Sequence, residues 1–470
     1  VWINCRGYIV RDDQQKPIYL IGCVNEIGNR QKADNITGLL GETSLEKYFK
    51  NSVSTLNKGF LIHIGIDGFK MINENYGWDY GDYILRETAS CILSCISDSQ
   101  KVYKIASDEF IILDTTSSDM TTASKLYDHI CKHINQFIEE NNFTAVFTIS
   151  AGILPLTDLS QTDYAEIIKR TDFSLTMAKQ HGRNCCYIFL EEEYQNFLRI
   201  REITNELHSA VNHDFRGFSI FFQPIIDIRQ DKLTGAEVLI RFTSKKFAQI
   251  SPAEFIPLLE TSGLIIPIGR WLMREAITAC RKIRMQLPDF KVNINVSQVQ
   301  ITNSDVITDL INEMNASGLP HTAIVIELTE SILLKKNEKA QNFLKELKQA
   351  GLQLALDDFG TGQSNLNYIV EMPVQIVKFD RVMTQAYFSS QKGRFVMNAA
   401  MHMIQDMKLG IVSEGIETQE QLTAMEQLGI DYIQGFYFSK PLPLPEFLAF
   451  IKKQECKRTL SISAAVPDPV

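Results

Sequence analysis

Hydrophobic positions are most regular in the second half of this chain. From Ser219 onward, apolar runs alternate with segments of helical periodicity, and the runs are SIFFQPI, AEVLIRF, VNINVS, IVIEL, QLALD, QIVKF, GIVSEG and YIQGFYF. Such runs indicate buried strands, and the helical segments indicate crossovers between them. Eight strands with interposed helices predict a TIM-type (β/α)8 barrel. The connection from Asp227 to Thr234 is too short for a parallel crossover, so we predict an antiparallel first strand.

The first half alternates helix and strand in a shorter pattern. We predict strands at FLIHIGID, VYKIA, EFIILD, AVFTISAGI and CCYIFL, and helices from about Ser44, from Tyr80 to Ile96, from Ser118 to Glu140 and from Tyr164 to Gln180. This order predicts an α+β sandwich with a small sheet. The whole chain is therefore expected to be an α/β multidomain protein.

Three further stretches flank these two patterns. Residues 1–33 carry alternating strands that turn between Asp12 and Lys16, and one hairpin buries no core by itself. The charged stretch EEEYQNFLRIREITNELHSAV predicts a connecting helix and a candidate dimer contact. The tail from Lys457 has no periodicity, so we predict that it is flexible. Because the chain opens on Val1, we interpret it as a piece of a longer protein.

Composition limits the class of ligand. The 470 residues, 45% of them hydrophobic, suffice for two or three domains with ample core. A net charge of −9 argues against nucleic acid as a partner and favours a small anion held through metal. The nine cysteines include no C-x-x-C pair, which predicts reduced thiols. No long apolar run or signal peptide is found, so we expect a cytoplasmic protein without a membrane segment.

Polar residues end the predicted barrel strands. The stretch LQLALDDFGTG ends in Asp357 and Asp358, two adjacent carboxylates that repel each other unless a cation lies between them. A DD-x-G taken alone would be an Asx turn more often than a cation site. However, the neighbouring strands also end in polar residues, which are Asn295, Glu327, Lys378, Glu414 and Gln434. Barrel strand ends meet at one mouth, so the pattern predicts a hard-cation site beside a proton-handling group.

Three reactions fit such a site. Two divalent ions bridged by a carboxylate such as Asp357 would clamp a phosphodiester for in-line displacement. An enolase-type proton abstraction with Lys378 as the base would leave Asp358 and Asn295 without a role. A glycosidase would leave Lys378 and the cation cluster unexplained.

The motifs of the second half resemble the EAL family of cyclic di-GMP phosphodiesterases over roughly residues 197–455. The matching segments are Glu237-Val238-Leu239, Asn295-Val296-Ser297, Glu327-Leu328-Thr329-Glu330, DDFGTG, Lys378-Phe379-Asp380, EGIET and QGFYFSKP. Val238 replaces the usual Ala, and Gln363 replaces the usual aromatic residue after DDFGTG. Neither position supplies a ligand, so both departures are tolerable.

The resemblance implies hydrolysis of cyclic di-GMP to linear pGpG with two Mg²⁺ or Mn²⁺ ions. It assigns the first ion to Glu237, Asn295, Glu327 and Asp357, and the second to Asp357 and Asp358. A binding-only cyclic di-GMP receptor is the alternative from another class. Receptors of this family have lost metal carboxylates or the lysine, and none of these is missing here.

The resemblance also implies roles for the other polar residues. Lys378 would orient the attacking water, Glu414 would act as general base or as a water-mediated metal partner, and Glu330 would brace the DDFGTG loop. Four residues would contact substrate, namely Gln223, Arg241, Asp380 and Gln434. The fork of Arg241 suits a phosphate. The family's habit implies a homodimer.

The first half resembles the GGDEF diguanylate cyclase family in the segments DNITGL, IGIDGFKMINENYG, GD, ASDEF and AKQHGRN. Gly65 stands where the family has its first metal-binding Asp, and only Asp67 of that pair remains. The signature loop reads ASDEF, so both of its glycines have gained a side chain. We therefore predict no cyclase activity, because phosphoryl chemistry depends on charge neutralisation by the metal.

Four residues of this half match the family's nucleotide contacts. They are Asn73 and Asp82 for guanine, and Lys179 and Arg183 for phosphate. Plain structural roles fit these residues equally well, so GTP binding and regulation by GTP are a hypothesis.

Two weaker patterns lie in the first half of the chain. The pattern G-x-x-x-RD-x-x-x-KP-x-x-x-x-G near the N-terminus resembles the last strands of a PAS domain. His129 and His133 are spaced like a zinc pair on a predicted helix, but the sequence offers no Glu-x-x-His pattern and no third ligand nearby. We interpret the two histidines as part of a solvated helix face.

These predictions divide the chain into five parts. They are a PAS remnant with linker at 1–33, a degenerate GGDEF domain at 34–190, a connecting helix at 191–205, an EAL barrel at 206–456 and a flexible tail at 457–470.

Overall fold

The computed structural model describes most of the chain, namely residues 3–11, 16–26, 33–52, 58–117, 119–141, 146–157, 162–333, 338–360, 369 and 372–464. The chain forms two compact units, Val1–Leu198 and Arg199–Val470, called here the first unit and the barrel unit. The expectations for Gln363, and for most of the turn after Arg11, lie outside the described residues.

The first unit contains a hairpin and a mixed sheet. The hairpin pairs β1 (Ile3–Arg11) with β2 (Pro17–Glu26) in antiparallel fashion. In the described residues, the sheet has the order β3-β5-β6-β4-β7-β8. Its strands are β3 (Leu40–Gly41), β4 (Phe60–Ile66), β5 (Gln100–Lys104), β6 (Glu109–Asp114), β7 (Ile149–Pro155) and β8 (Cys186–Ile188).

Helices cover both faces of this sheet. They are α1 (Glu42–Ser52), α2 (Phe69–Tyr76), α3 (Trp78–Cys95), α4 (Met120–Glu140) and α5 (Tyr164–Gln180). The central strand β4 is buried along its whole length, which explains why its sequence, FLIHIGI, is almost entirely apolar. It pairs antiparallel with both β6 and β7. The arrangement is an α+β sandwich.

The connecting helix, α6 (Glu191–Asn212), covers the whole charged stretch predicted as helix and continues past residue 205, where the predicted barrel domain begins. Leu207 and Ala210, beyond that boundary, are buried in the barrel unit's core. This burial stabilises the helix past residue 205.

The barrel unit is a closed barrel of eight strands within the described residues. Going round it, the order is β10-β12-β13-β14-β15-β16-β17-β9, and β9 closes the ring on β10. The strands are β9 (Phe218–Asp227), β10 (Lys232–Ser244), β12 (Lys291–Asn295), β13 (Ile324–Thr329), β14 (Gln353–Phe359), β15 (Ile376–Phe379), β16 (Gly410–Glu414) and β17 (Tyr432–Gln434). The first strand, β9, runs antiparallel to both of its neighbours in the ring.

Helices surround the barrel. They are α7 (Pro252–Thr261), α8 (Ile265–Arg284), α9 (Gln298–Asn303), α10 (Val306–Ser317), α11 (Glu330–Leu333), α12 (Glu338–Gln349), α13 (Arg381–Ser389), α14 (Gln391–Asp406), α15 (Gln419–Leu428) and α16 (Leu444–Ala464). The short strands β11 (Ala248–Ile250) and β18 (Leu442–Pro443) extend the sheet. Of the helices described in the chain, none has the length and apolar character needed to cross a membrane.

Two segments near the C-terminus differ in extent from the sequence pattern. The run YIQGFYF is a strand only as far as Gln434. The chain turns at Gly435, which packs so closely on Ile416 that an added Cβ would lie 2.1 Å from the Ile416 carbonyl oxygen. The tail from Lys457 is helical as far as Ala464, since no glycine or proline follows the first turn of α16. Its flexibility stays a prediction.

Candidate active site

The predicted barrel residues meet at the barrel mouth, which is the end where the parallel strands have their carboxyl termini. Parallel register places Glu237 on β10 beside Asn293 on β12, and Asn295 beside Glu327 on β13. Residues paired in register point to the same side of a sheet. The strands therefore deliver these side chains to one side of the barrel wall.

Lys378, on β15, is the centre of this cluster and is fully buried. Its Nζ lies 3.0 Å from Glu237 Oε2, 3.0 Å from Glu327 Oε1, 3.2 Å from Asp357 Oδ1 and 2.8 Å from Glu414 Oε1. Burial opposes charge on the lysine, but the four carboxyl groups outweigh burial and raise the pKa of Lys378 well above its usual value. One ammonium group thus faces four carboxyl groups.

Amide side chains fix the orientation of two of these carboxylates. Asn295 Nδ2 donates to Glu237 Oε1 at 2.7 Å, and Gln434 Nε2 donates to Glu237 Oε2 at 2.6 Å. Asn293, on the same strand as Asn295, donates from Nδ2 to Glu327 Oε1 at 2.7 Å. Sequence reasoning missed Asn293, although its separation of two residues from Asn295 on a strand was the signal that could have found it.

A backbone irregularity brings both aspartates of the DDFGTG motif to the barrel mouth. Adjacent residues on a regular strand point to opposite faces, but the pairing of β14 with β15 shifts register between Leu356 and Phe359. Asp358 has a φ of 55°, in the left-handed region that a side chain rarely adopts. Burial, with the nearby charges of Asp357 and Asp380, raises the pKa of Asp358 to about 6.

The carboxyl groups of the cluster differ in how easily they ionise. Burial would raise the pKa of Glu237, but Lys378 and three hydrogen bonds lower it below the usual range. Burial and neighbouring charges raise the pKa values of Glu327 and Asp357. Burial also raises the pKa of Glu414 to about 7. The cluster contains more negative charge than Lys378 can neutralise.

The cluster fits a divalent cation. Glu237, Glu327 and Asp357 each offer one oxygen, and the three oxygens lie within 4.8 Å of one another. Asp357 Oδ1 is buried, and within the described residues its polar contact is the ion pair with Lys378 at 3.2 Å. Carboxylate oxygens around surplus negative charge are the donor set that Mg²⁺ and Mn²⁺ prefer.

A pocket of about 160 Å³ adjoins the cluster and is lined in part by Gln223, Glu414, Gln434 and Phe436. The Phe436 ring is 47% exposed, so it offers an aromatic face at the rim. Sequence reasoning assigned it no role, although it lies in the QGFYFSKP motif. Gln434 Nε2 also donates to Gln223 Oε1 at 3.2 Å, which joins two predicted substrate contacts.

Three other predicted site residues of the barrel lie outside the Lys378 cluster and make different kinds of contact. Arg241 stacks over the Phe221 ring at 5.5 Å, and no carboxylate of the described chain lies within ion-pair distance of it. Asp380 accepts a hydrogen bond from the Val382 backbone at 2.6 Å and so caps α13. Glu330 is buried, and both of its carboxylate oxygens lack a hydrogen-bond partner in the described residues.

The cyclase-like site of the first unit contains a lysine close to the lost metal ligand. Lys179 Nζ lies 3.0 Å from the point where a Cβ on Gly65 would be, and 3.6 Å from Glu109 Oε1. Asp67 accepts hydrogen bonds from Thr148 Oγ1 at 2.7 Å and from Ser150 Oγ at 2.8 Å. The remaining aspartate therefore ties β4 to the chain around β7.

The four predicted GTP contacts lie outside the pocket beside the signature loop. Asn73 Oδ1 is buried without a hydrogen-bond partner in the described residues and lies against Gly81, next to Asp82. Arg183 has a φ of 62°, in the turn that follows α5. A pocket of about 410 Å³ borders the signature loop, and none of the four residues lines it.

His63 gives the first unit a pH dependence. Its buried ring lies 3.2 Å from Glu109 and 3.3 Å from Asp172. Burial alone would lower the pKa of His63, but the two carboxylates outweigh burial and raise it. The ion pairs thus stabilise the fold below the unfolded pKa of about 6.5 and are lost as pH rises through the folded value.

We expect His63→Gln to lower the melting temperature of the first unit more at pH 5.5 than at pH 9. Calorimetry of both proteins at the two pH values checks this. A difference that is independent of pH would contradict the ion-pair explanation.

The prediction that His129 and His133 have no third ligand nearby was wrong. Ligand atoms of Cys95, His129 and His133 all lie within 4.8 Å of one another. Cys95 ends α3, and the packing of α3 against α4 brings its thiol to the two imidazoles. Sequence spacing within one helix carries no information about its packing partner.

A barrel that buries acidic residues at the carboxyl ends of its strands, together with an α+β sandwich, defines the class of this protein. The family model described as "EAL domain" matches residues 204–441, and the one described as "Diguanylate cyclase, GGDEF domain" matches residues 31–185. The chain belongs to the EAL domain family and carries a GGDEF domain in tandem with its EAL domain.

Curated relatives are similar to this chain along most of its length. The chain is 28% identical over 422 residues to "Cyclic di-GMP phosphodiesterase PdeR" of Escherichia coli strain K12, which covers 89% of this chain and 63% of PdeR. It is 29% identical over 461 residues to "Signaling protein YkoW" of Bacillus subtilis strain 168, which covers 97% of this chain and 56% of YkoW. The chain thus spans less than two thirds of the length of these relatives.

A solved structure shares the fold. The EAL enzyme Bd1971, in its cAMP and cyclic-di-GMP bound form, matches with a TM-score of 0.53 and 26% identity. The match covers 74% of this chain and 82% of that one.

Proposed function

We propose that the barrel unit hydrolyses one phosphodiester bond of cyclic di-GMP and releases linear pGpG. The observation that carries the proposal is the convergence of Glu237, Glu327 and Asp357 on one point beside buried Lys378. The name of PdeR and the cyclic-di-GMP bound form of Bd1971 support the choice of substrate.

We assign the metal ligands as the sequence motifs imply. Glu237, Asn295, Glu327 and Asp357 would hold one Mg²⁺ or Mn²⁺ ion, and Asp357 with Asp358 would hold a second. When bound, such ions neutralise charge on the phosphodiester and lower the pKa of water. The surplus of carboxylate over ammonium charge in the cluster supports this assignment.

The chain's own residues would then orient and deprotonate the attacking water. The Lys378 ammonium would orient the attacking water by donating a hydrogen bond to its oxygen. Glu414, whose pKa of about 7 suits proton exchange near neutral pH, accepts the water proton. The water oxygen would bond to phosphorus as the bond from phosphorus to the ester oxygen breaks, and the leaving oxygen would take up a proton from solvent, so that the dinucleotide becomes linear. Glu330 would brace the DDFGTG motif, as the resemblance implies.

Product analysis tests this function. The full chain is incubated with Mg²⁺ and cyclic di-GMP, and the nucleotides are separated by chromatography. We expect pGpG to accumulate in catalytic excess over protein. Binding of cyclic di-GMP without turnover would instead identify a receptor, which is the second candidate function.

Arg241 is expected to bind a substrate phosphate, with Gln223, Asp380 and Gln434 as further contacts. Arg241→Met should raise KM by about 10- to 100-fold, the cost of losing a hydrogen bond to a charged group, with little change in kcat. Steady-state kinetics checks the expected split. Arg241→Lys is the matched control, because it keeps the charge but loses the fork and should recover only part of the affinity. Equal KM values for all three proteins would remove Arg241 from the site.

The first unit is proposed to regulate the barrel unit and to lack cyclase activity. We expect no cyclic dinucleotide from GTP, even in the Gly65→Asp variant, because the Lys179 ammonium would pair with the new carboxylate. Incubation with GTP and Mg²⁺ followed by chromatography checks both proteins. Activity in the variant would show that Gly65 alone had silenced the unit.

GTP remains a candidate effector of the barrel unit through Asn73, Asp82, Lys179 and Arg183. Titration of GTP against the rate of cyclic di-GMP hydrolysis tests this hypothesis. A homodimer and a cytoplasmic location complete the proposal, and light scattering of the purified protein tests the first of them.

A further inference from the structure

Three side chains of the first unit form a metal-ligating set that the proposed chemistry leaves unused. The thiol of Cys95 and the imidazoles of His129 and His133 present ligand atoms within 4.8 Å of one another. None of the three belongs to the acidic cluster of the barrel unit or to the predicted GTP contacts.

Helix geometry accounts for the convergence. Residues four apart on a helix lie on one face, so α4 presents both imidazoles side by side, with ring centroids 4.7 Å apart. Cys95 is the last residue of α3, and α3 packs against α4 through the unit's apolar core. The set therefore rests on two regular helices, which hold ligands more firmly than loops do.

The ligand atoms of the two histidines are available. Neither imidazole takes part in a hydrogen bond or an ion pair within the described part of the chain, although both rings carry nitrogens able to form one. His129 is exposed, while Cys95 and His133 are half-buried, so a metal ion can reach the site from solvent. Cys95 Sγ has one weak polar contact, with Ser94 Oγ at 3.9 Å.

We propose that Cys95, His129 and His133 bind a divalent transition metal ion, with Zn²⁺ as the preferred ion. One thiolate and two imidazoles form a soft donor set that suits zinc and does not suit Mg²⁺. Three protein ligands leave one tetrahedral position, which a water molecule fills on the exposed side. Binding releases the thiol proton and ties the end of α3 to the middle of α4.

Cobalt substitution tests the site in the full chain. The protein is titrated with Co²⁺ in the presence of excess Mg²⁺, which occupies the acidic cluster of the barrel unit. We expect one equivalent of Co²⁺ to produce a thiolate-to-cobalt charge-transfer band and tetrahedral visible bands, both removed by Zn²⁺. A carboxylate site cannot produce the thiolate band, so the signal excludes the acidic cluster as its source.

Variants assign the ligands. Cys95→Ser is expected to abolish the charge-transfer band, and His133→Ala to abolish the intense tetrahedral bands. Cys131→Ser is the matched control, because Cys131 lies between the two histidines in sequence but on the opposite face of α4, so both signals should persist. Circular dichroism without metal confirms that each variant is folded.

Thermal unfolding provides an independent measurement. A ligand that binds only the folded state raises the melting temperature with its concentration. With excess Mg²⁺ present to occupy the acidic cluster of the barrel unit, Zn²⁺ should therefore raise the melting temperature of the wild type and of Cys131→Ser, but not that of Cys95→Ser. A thiolate band that survives in Cys95→Ser, or no such band in the wild type, would overturn the proposal.

Discussion

Asp357→Asn is expected to reduce the rate of cyclic di-GMP hydrolysis by at least about 10³-fold. Asp357 offers one oxygen to the acidic triad and is the proposed bridge between the two ions. An amide at this position keeps the shape of the side chain but removes the negative charge that a pair of divalent cations requires. The loss should appear in kcat, because the substrate contacts at the rim are unchanged.

The melting temperature of the metal-free variant distinguishes a loss of catalysis from misfolding. Without divalent metal, Asp357 is one of four carboxyl groups around a single ammonium group. Removing one negative charge relieves repulsion, so the metal-free variant should melt at the same temperature as the wild type or at a higher one. Mg²⁺ should stabilise the wild type more than it stabilises the variant.

Asp289→Asn is the matched control for this experiment. Its side chain is 90% exposed and has only a 3.9 Å ion pair with Lys232, so neither activity nor metal response should change. Near-normal turnover by Asp357→Asn in Mg²⁺ would contradict the proposed two-ion site.

Lys378→Met is expected to destabilise the metal-free barrel unit by about 3–5 kcal/mol, the cost of leaving buried charge without its partner. The lysine is fully buried and is the cation nearest to Glu237, Glu327, Asp357 and Glu414. A methionine fills much of the same volume but leaves the carboxyl groups to repel one another. Activity should also fall, because the attacking water loses its proposed donor.

Divalent cations should reverse part of this destabilisation. We expect Mg²⁺ to raise the melting temperature of Lys378→Met by more than that of the wild type, since the ion supplies the positive charge that the lysine provided. Calorimetry with chelator and with Mg²⁺ measures both effects.

Lys291→Met is the control, because Lys291 is also a lysine on a barrel strand, although it is half-buried where Lys378 is fully buried. Lys291 donates to the neutral Gln353 side chain at 2.8 Å, and it forms no ion pair with a carboxylate of the described residues. We expect a much smaller loss of stability for this variant and no larger response to Mg²⁺. If Lys378→Met and Lys291→Met proved equally stable without metal, the charge argument would fail.

Much of the barrel and its candidate site could be predicted from the order of the residues. Apolar runs with helical spacers indicated the strands, and polar residues at the ends of those runs indicated the barrel mouth. Both inferences depend on local periodicity. A buried strand must be apolar, whereas the end of a strand at a barrel mouth tolerates charged side chains. Motifs such as DDFGTG then indicated the protein family.

The sequence could not determine how side chains from separate elements meet. The bulge that turns Asp358 toward the mouth depends on how β14 pairs with β15. The contact of Asn293 with Glu327 depends on register between strands.

What the sequence by itself determined is the identity and order of the elements, because these follow from periodicities of two and 3.6 residues within each segment. What only the tertiary structure decided is the set of neighbours around each charged or ligating group. Lys378 acquires four carboxyl partners, Gly65 faces Lys179, and Cys95 joins two histidines of another helix. Such contacts arise when elements pack, and the free energy of packing depends on distances that no local pattern specifies.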